Sequence, residues 1–416
     1  MKNTKLEIMV PAGSFESLTA ALQAGANSVY FGIEQLNMRA KAANNFKITD
    51  LQEVVKKCKK ARVKTYLTVN TILYDHDLKL MKQICDAAKA AGVTAIIASD
   101  IAAIQYAHSI DLEVHISTQL NVTNIEAVKF FAQFADVVVL ARELTLKQIQ
   151  EINRQIIEQD VRGPKGELVK IELFAHGALC VAISGKCYMS LATSNSSANR
   201  GACLQNCRRS YKVIDEETGT ELQIDNKYIM SPKDLCTIGF LDQLVDAGVS
   251  VFKLEGRGRS ADYVYTVTKT YREALDSILN KKYSQKKIDG WIKDLEKVFN
   301  RGFWHGGYYL GKQLGEWSGV YGSQAKVEKT YIGRAKKYFP KVKIGEFKLD
   351  TGGLKLSDEY IISGPSCGVI QGKVKSLYVD GEKSSQAIKG DLITLPLDQK
   401  IYKNDKLFKL IAKTNA

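Results

Sequence analysis

The hydrophobic and polar positions of this chain repeat one pattern. In it, an amphipathic helical stretch ends in Ala-Gly and a short apolar run follows. Residues 20–32, 86–98 and 244–255 all show this order. Glycine after a helix can adopt the left-handed cap conformation, and a short apolar run is typical of a buried parallel strand. The pattern therefore predicts helices that alternate with parallel strands.

Eight such strands can be counted, at residues 7–12, 28–33, 64–70, 94–99, 113–118, 136–141, 170–176 and 249–255. Helices are predicted between them, for example at 14–24, with Ser14 as the N-cap, and at 48–61. No Gly-x-Gly-x-x-Gly follows the first strand, which disfavours a dinucleotide-binding fold. The pattern favours an α/β fold built on a closed (βα)8 TIM-like barrel.

The regular spacing breaks after the seventh strand, where a large insertion of about residues 177–248 separates it from the eighth. Loops that follow barrel strands form the face on which active sites lie. The insertion contains five of the eight cysteines, namely Cys180, Cys187, Cys203, Cys207 and Cys236. We therefore expect the unusual chemistry of this chain at the catalytic face of the barrel.

The C-terminal part has a different pattern. Two helices, at about 260–279 and 286–298, precede a glycine- and aromatic-rich stretch at 299–311. From about residue 328, short alternating runs with turn signals follow, at 342–349, 360–364, 368–379, 391–397 and 406–411. These runs predict a small antiparallel β-barrel domain, so the expected domains are 1–327 and 328–416.

Composition adds a charge surplus to this picture. The chain has 416 residues, of which 45% are hydrophobic and 25% charged, as in a folded protein. Its net charge of +14 favours a polyanionic partner such as RNA, although a lysine-rich proteome would give the same surplus. No signal-peptide pattern and no membrane-spanning run is seen, so we expect a cytoplasmic protein with reduced thiols.

The cysteine spacing indicates a metal centre. The order is Cys180-x6-Cys187-x15-Cys203-x3-Cys207-x28-Cys236. It lacks the paired Cys-x2-Cys of a structural zinc ribbon, whereas an iron–sulfur cluster accepts thiolates from scattered loops. On spacing alone, an iron–sulfur cluster, zinc and disulfides or unrelated thiols remain alternatives.

Polar side chains near the predicted strand ends are candidates for binding and catalysis. Guanidinium groups there could bind a dicarboxylate or a phosphate, and a histidine could donate a proton. The candidates are Arg39, Arg142 and Arg257, then His115, Gln119 and Asn121 around the fifth strand, His176 after the seventh and Glu255 after the eighth. Structural hydrogen bonding within the barrel mouth is the alternative role for these groups.

Residues 172–190, Glu-Leu-Phe-Ala-His-Gly-Ala-Leu-Cys-Val-Ala-Ile-Ser-Gly-Lys-Cys-Tyr-Met-Ser, resemble the signature of the collagenase-like peptidase family U-32. The segments 200–208, 230–236, 253–257 and 299–303 resemble this family as well. The resemblance extends over nearly the whole chain, and it is strongest to the branch that modifies tRNA.

The resemblance implies a tRNA modification enzyme that hydroxylates the wobble uridine at C5 without molecular oxygen, with prephenate as co-substrate. It also implies a [4Fe–4S] cluster, with Cys180, Cys187, Cys203 and Cys236 as ligands and Cys207 as an alternative third ligand. Independently of the resemblance, their positions near predicted strand ends make His176, Glu255 and Arg257 the catalytic candidates, and Arg39, His115, Gln119, Asn121 and Arg142 the substrate-binding candidates. Related branches suggest a second family member as a further partner.

Two other functions remain open. The family name implies a collagenase-like peptidase, yet the chain has no His-Glu-x-x-His and no Gly-x-Ser-x-Gly motif. His176 near Cys180 is the suggestive pair for a cysteine peptidase. A non-catalytic member of a heteromeric hydroxylation complex would be expected to lack the polar strand-end residues, which are present here.

Overall fold

The computed structural model describes residues 6–41, 44–222, 228–312 and 316–413. Parts of both predicted domains lie outside these residues: 1–5, 42–43, 223–227 and 313–315 of the first and 414–416 of the second. The α-helices are α1 Phe15–Gln23, α2 Leu51–Lys60, α3 Leu78–Ala91, α4 Ile101–Ser109, α5 Ile125–Ala132, α6 Leu146–Glu158, α7 Met189–Ser194, α8 Leu241–Asp246, α9 Ala261–Leu279 and α10 Gln285–Leu295. Short 3-10 helices span Ile48–Asp50, Asp75–Asp77, Thr118–Leu120, Ala198–Arg200, Asn206–Arg208 and Gly307–Leu310.

Eight parallel strands close into a barrel, as the sequence predicts. They are β1 Glu7–Pro11, β2 Ser28–Phe31, β3 Lys64–Val69, β4 Ala95–Ala98, β5 Glu113–Ile116, β6 Val137–Val139, β7 Lys170–Gly177 and β11 Val249–Leu254. Neighbours along the chain pair in order, and β11 closes the ring by pairing with both β1 and β7. The barrel prediction is confirmed, and the observed strands fall within one or two residues of the predicted bounds.

Helix α1 shows how local sequence fixes the start of a barrel helix. The Ser14 side chain accepts a hydrogen bond from the Ser17 backbone N–H, and the Ser17 hydroxyl lies 3.0 Å from the Ser14 backbone nitrogen. This reciprocal cap satisfies backbone donors that the first helical turn leaves without partners. Ser14 is therefore the N-cap that the sequence predicts.

The insertion between β7 and β11 contains α7, α8 and the strands β8 Val213–Ile214, β9 Glu221–Leu222 and β10 Asp234–Cys236. Strand β10 pairs antiparallel with the end of β7, so that Cys236 lies opposite His176. Strand β12, Phe303–His305, adds to β10. Trp304 and Tyr309 are buried here, so the aromatic stretch after the helices serves packing.

The C-terminal strands are β13 Val327–Phe339, β14 Ile344–Leu349, β15 Gly353–Lys355, β16 Glu359–Gly364, β17 Gly368–Lys373, β18 Leu377–Val379, β19 Glu382–Ser384, β20 Gln386–Ile388, β21 Leu392–Pro396 and β22 Lys406–Ala412. Eight form an antiparallel sheet in the order β17-β16-β22-β13-β14-β21-β18-β19, and β15 pairs with β20. Strands of both sheets surround one hydrophobic core. The antiparallel β prediction is confirmed.

Two predicted details of this domain differ from the structure. The single run at 368–379 is split into β17 and β18, because the Val374 backbone bonds instead with Ser357 and Asp358. The long strand β13 was not among the predicted runs. Register shifts near Ile332 and Lys336 interrupt the alternation by which a strand is recognised.

The β domain packs against the outer helices of the barrel. Ala20 of α1 and Ala261 of α9 form a small apolar cluster with Ile361 and Val369 of the β domain. The Gln23 side chain donates to the Cys367 carbonyl at 2.5 Å and accepts from the Val369 N–H at 2.9 Å. None of the described helices is long and apolar enough to cross a membrane.

Candidate active site

A cavity of about 230 Å³ opens at the carboxyl ends of the barrel strands. Strands β2, β3, β7 and β11 contribute Tyr30, Thr68, Phe174 and Lys253, and the segments that follow the strands contribute most of the remaining wall. Ligand sites of TIM barrels lie at this face. The cavity therefore lies where TIM barrels have their ligand-binding and active sites.

Four of the five clustered cysteines line this one cavity, and they are Cys180, Cys187, Cys203 and Cys207. All four are partly exposed and free of disulfides. Burial raises the pKa of the Cys207 thiol, Arg208 opposes that shift, and the three other thiols add to it. The four thiols thus belong to one cavity wall, with Cys207 under the influence of the other three.

Cys236 departs from the sequence expectation, which included it as a ligand and kept Cys207 as an alternative. It does not line the cavity and is fully buried on β10. Burial raises its pKa to about 12, and its thiol lies against Tyr271. The departure arises because β10 pairs with β7 and directs Cys236 into the barrel packing.

The cavity offers four thiols, the donor type that an iron–sulfur cluster requires. Within the described residues, no three Cys, His, Asp or Glu side chains converge closely enough to hold one metal ion. A four-iron cluster is wider, because each of its four thiolates binds a different iron atom. Four thiols spread around one cavity match that requirement.

The cavity wall is strongly cationic. Among the described lining residues, Glu255 is the one carboxylate, and the cations of the lining are Arg39, Arg142, Arg208, Lys253, Arg257, Arg259 and Arg301. Some of these cations are neutralised by carboxylates, but ion pairs within the described residues involve neither Arg142 nor Arg259. Arg142 lies over the Phe174 ring at 5.5 Å and Arg259 over Phe299 at 3.4 Å. The wall thus presents cations with the capacity to bind an anion.

Glu255 and Arg39 form an ion pair at the cavity wall. Arg39 Nη2 lies 3.0 Å from Glu255 Oε1, and the Tyr30 hydroxyl donates to Glu255 Oε2 at 2.9 Å. Burial acts to raise the pKa of Glu255, but Arg39 and Arg257 outweigh it and hold the pKa below its usual value. Glu255 is therefore an anion at neutral pH and acts as an acceptor rather than an acid.

Arg257 is buried and held by neutral groups. Its guanidinium donates to Thr68 Oγ1 at 3.0 Å and to Asn37 Oδ1 at 2.8 Å. Burial lowers its pKa to about 10. It remains charged at neutral pH, and the two bonds fix the direction of the guanidinium fork.

Gln119 lines the cavity as expected, whereas His115 and Asn121 do not. His115 is buried inside the barrel, with its ring nitrogens 3.6 Å from both Glu113 and Glu172. Burial acts to lower the pKa of His115, but the two carboxylates raise it overall. Asn121 ends a 3-10 helix with a φ of 50°. The expectation that these two residues bind substrate is not supported by their positions.

His176 lies outside the cavity as well. Its Nδ1 is 3.3 Å from the Tyr271 hydroxyl, and aromatic rings surround it. Burial lowers its pKa to about 3, so the ring is neutral and cannot donate a proton at neutral pH. The predicted catalytic role is therefore not supported, because the β7–β10 pairing buries this side chain.

The sequence reasoning missed several lining residues, among them Tyr30, Asn70, Lys253 and Arg301. Lys253 offered a signal, because a charged residue within an apolar strand must have a partner. The structure supplies Glu172 at 2.8 Å, with both side chains buried. Arg301 lies far along the chain and reaches the site only through β10, where it pairs with Asp234 at 3.5 Å.

A thiol–imidazole pair for peptide cleavage is absent from the described residues of the cavity. None of the five histidines is among its lining residues. His176 contacts Tyr271 rather than Cys180. A cysteine peptidase requires an imidazole against its thiol, and this geometry does not provide one.

Residues 13–319 match the family model described as "Peptidase family U32". A protein named "Collagenase" from Porphyromonas gingivalis (strain ATCC BAA-308 / W83) is 53% identical over 98% of this chain and 99% of its own length.

Two relatives have names that refer to RNA. "tRNA hydroxylation protein P1" from Bacillus subtilis (strain 168) is 32% identical over 71% of this chain and 69% of its own length. "23S rRNA 5-hydroxycytidine C2501 synthase" from Escherichia coli (strain K12) is 34% identical over 72% of this chain and 44% of its own length.

Proposed function

Since this chain belongs to peptidase family U32, we propose that it is an RNA-modifying enzyme of that family which hydroxylates the wobble uridine of tRNA at C5. The observation that carries the proposal is the cavity in which four thiols share one wall with an excess of cations. The names of two relatives, a tRNA hydroxylation protein and a hydroxycytidine synthase, support the same class of substrate. A tRNA substrate would place the reaction in the cytoplasm.

We assign a [4Fe–4S] cluster to Cys180, Cys187, Cys203 and Cys207. Such a cluster supplies redox or Lewis-acid chemistry when it is bound. The protein contributes the four thiols and positive charge beside them, because Arg208 lies next to Cys207. Arg208 is itself fixed by the Pro232 carbonyl at 2.8 Å and by Ser231.

A small dicarboxylate, with prephenate as the proposed co-substrate, fits the cationic wall. Arg142 and Arg259 present guanidinium groups that no carboxylate of the described residues neutralises. Arg–carboxylate pairs are frequently bidentate and charge-assisted.

We expect Arg142→Gln to weaken prephenate binding on the order of tenfold, as measured by calorimetry. Arg154→Gln, on the exposed face of α6, is the matched control and should bind as the wild type does.

The test of the proposed function is nucleoside analysis of tRNA from cells with and without the gene. Hydroxylated uridine should disappear on deletion and return with the wild-type gene. Unchanged tRNA nucleosides on deletion would contradict the proposal.

Collagenase-like proteolysis is the second candidate, favoured by the name of the relative that is 53% identical. The geometry opposes it, since the cavity thiols have no imidazole partner among the described residues. We expect the purified protein to leave gelatin intact. Cleavage that is lost in Cys180→Ser would instead support the peptidase.

Pairing with a second family member remains a proposal, which size measurement of the native complex would test.

A further inference from the structure

We propose that the sheet face of the β domain opposite the domain's own core docks the tRNA through a row of three cations, and this inference rests on the proposed function. Residues 327–413 carry 17 Lys and Arg against 10 Asp and Glu, a surplus of +7. This is half of the surplus of the whole chain, in a domain about a fifth of its length. The charge of the protein is therefore concentrated in the part that does not line the cavity.

Three of these cations lie directly opposite one another on adjacent strands. Arg334 of β13 pairs in register with Lys348 of β14 on one side and with Lys406 of β22 on the other. Side chains of directly opposite residues project from the same face of a sheet. Arg334 and Lys406 are exposed and Lys348 is half-buried. We call these three residues the cation row.

The row is only partly neutralised. Asp350 pairs with Arg334 at 3.3 Å, and Lys348 donates to the Gly390 carbonyl. No carboxylate of the described residues pairs with Lys348 or Lys406. Like charges opposite one another destabilise a sheet, so this arrangement leaves a repulsion that a bound polyanion would relieve.

More cations surround the row. Lys336 is exposed on the bulged part of β13, and Lys403 is exposed in the turn that bonds to it, since the Asn404 N–H donates to the Ala335 carbonyl. No ion pair involves either lysine within the described chain. The patch therefore presents several ammonium groups that no carboxylate of the described residues pairs with, and such groups bind phosphates.

The patch is held in a fixed relation to the cavity. On the same sheet face, two residues beyond the row, Ile361 and Phe408 pack against the barrel helices. Helix α9 in this contact begins at Ala261, just after Arg257 and Arg259 of the cavity wall. A tRNA is far larger than a cavity of about 230 Å³, so contacts elsewhere must hold most of it. The cation row is suitably placed for them.

The test measures binding of an in vitro transcribed tRNA to the full-length protein across a range of salt concentrations. We expect Arg334→Gln/Lys348→Gln/Lys406→Gln to weaken binding on the order of tenfold. The slope of log affinity against log salt should fall by about 3, one per lost phosphate contact. The control is Lys56→Gln/Lys59→Gln/Lys60→Gln, with the same charge change on the exposed face of α2, and it should keep the wild-type slope.

Equal affinity and slope in the two triple variants would overturn the docking inference, while tRNA hydroxylation in cells would still support the proposed function. A wild-type protein that does not bind tRNA would contradict both. Binding of the same proteins to vesicles of phosphatidylserine and phosphatidylcholine is measured as well. If the cation row mediates binding to these vesicles and not to tRNA, the patch is a membrane surface and the inference fails.

Discussion

At the scale of single residues, burial separates the groups that can react from those that cannot. Cys207 shares the cavity with three other thiols, whereas Cys236 is buried beside Tyr271. The family resemblance favoured Cys236 as a ligand and kept Cys207 as an alternative. The difference between them is a strand pairing, which neither residue reveals locally.

Exchange of each cysteine for serine tests this assignment. Cys207→Ser should lose most of the bound iron of an anaerobically purified protein, which we expect at about four irons per chain, because a ligand is removed. Cys236→Ser should keep the iron and lower the free energy of unfolding by about 1–2 kcal/mol, since a hydroxyl replaces a buried thiol. The reverse pattern of iron contents would restore Cys236 to the ligand set.

His176 makes a residue-scale prediction about pH. Its folded-state pKa is lowered to about 3, so the unfolded chain binds a proton more readily between pH 3 and about 6.5. Stability from this residue is therefore present above pH 6.5 and is lost as the pH falls towards 3. His176→Phe should show a flatter decline of stability over this range in denaturant titrations.

The same variant also tests catalysis. The Tyr271 hydroxyl still has the Ala175 carbonyl as acceptor at 2.9 Å, so the substitution leaves no buried donor without a partner. Full iron content and full hydroxylation are expected in His176→Phe. Loss of hydroxylation in a folded, iron-loaded variant would show that His176 takes part in the reaction.

At the scale of elements, the insertion depends on glycine where it approaches the barrel. Gly201 has a φ of +81°, and a Cβ there would overlap the backbone carbonyl of Asn37. Asn37 in turn holds Arg257. This contact places the segment with Cys203 and Cys207 against the loop that follows β2.

Gly201→Ala should therefore displace both cysteines and reduce bound iron. Gly219→Ala is the matched control within the same insertion, because its φ is +70° but nothing lies within 4 Å of the added Cβ. This variant should lose only about 1 kcal/mol of unfolding free energy to conformational strain, and it should keep its iron. Equal iron contents in the two variants would show that the contact with Asn37 does not position the thiols.

Sequence pattern predicted elements whose cause is local. The Ala-Gly pattern located three of the barrel strands, and Ser14 located the start of α1. It did not predict β13, whose alternation is interrupted, or the burial of His176, which results from pairing between β7 and β10. Of the site, it predicted Arg39, Arg142, Glu255 and most of the thiols, because residues after barrel strands meet at one face. It missed Arg301, which reaches the site through tertiary pairing.

At the scale of the whole molecule, the β domain and the barrel are joined by apolar packing and by the two hydrogen bonds of Gln23. Gln23→Ala would leave the Val369 N–H and the Cys367 carbonyl without these partners. We expect a loss of about 1–3 kcal/mol in unfolding free energy and faster proteolysis near residue 327. Thr19→Ala, which removes one exposed bond to Pro365, should have a smaller effect.

The most direct test of the central claim, that the thiol-lined cavity hydroxylates tRNA, is the level of hydroxylated uridine in a deletion strain that carries wild-type or variant genes. We predict restoration by the wild type and by His176→Phe, and none by Cys187→Ser, whose partly exposed side chain lines the cavity. Full restoration by Cys187→Ser, at equal protein level, would contradict the account.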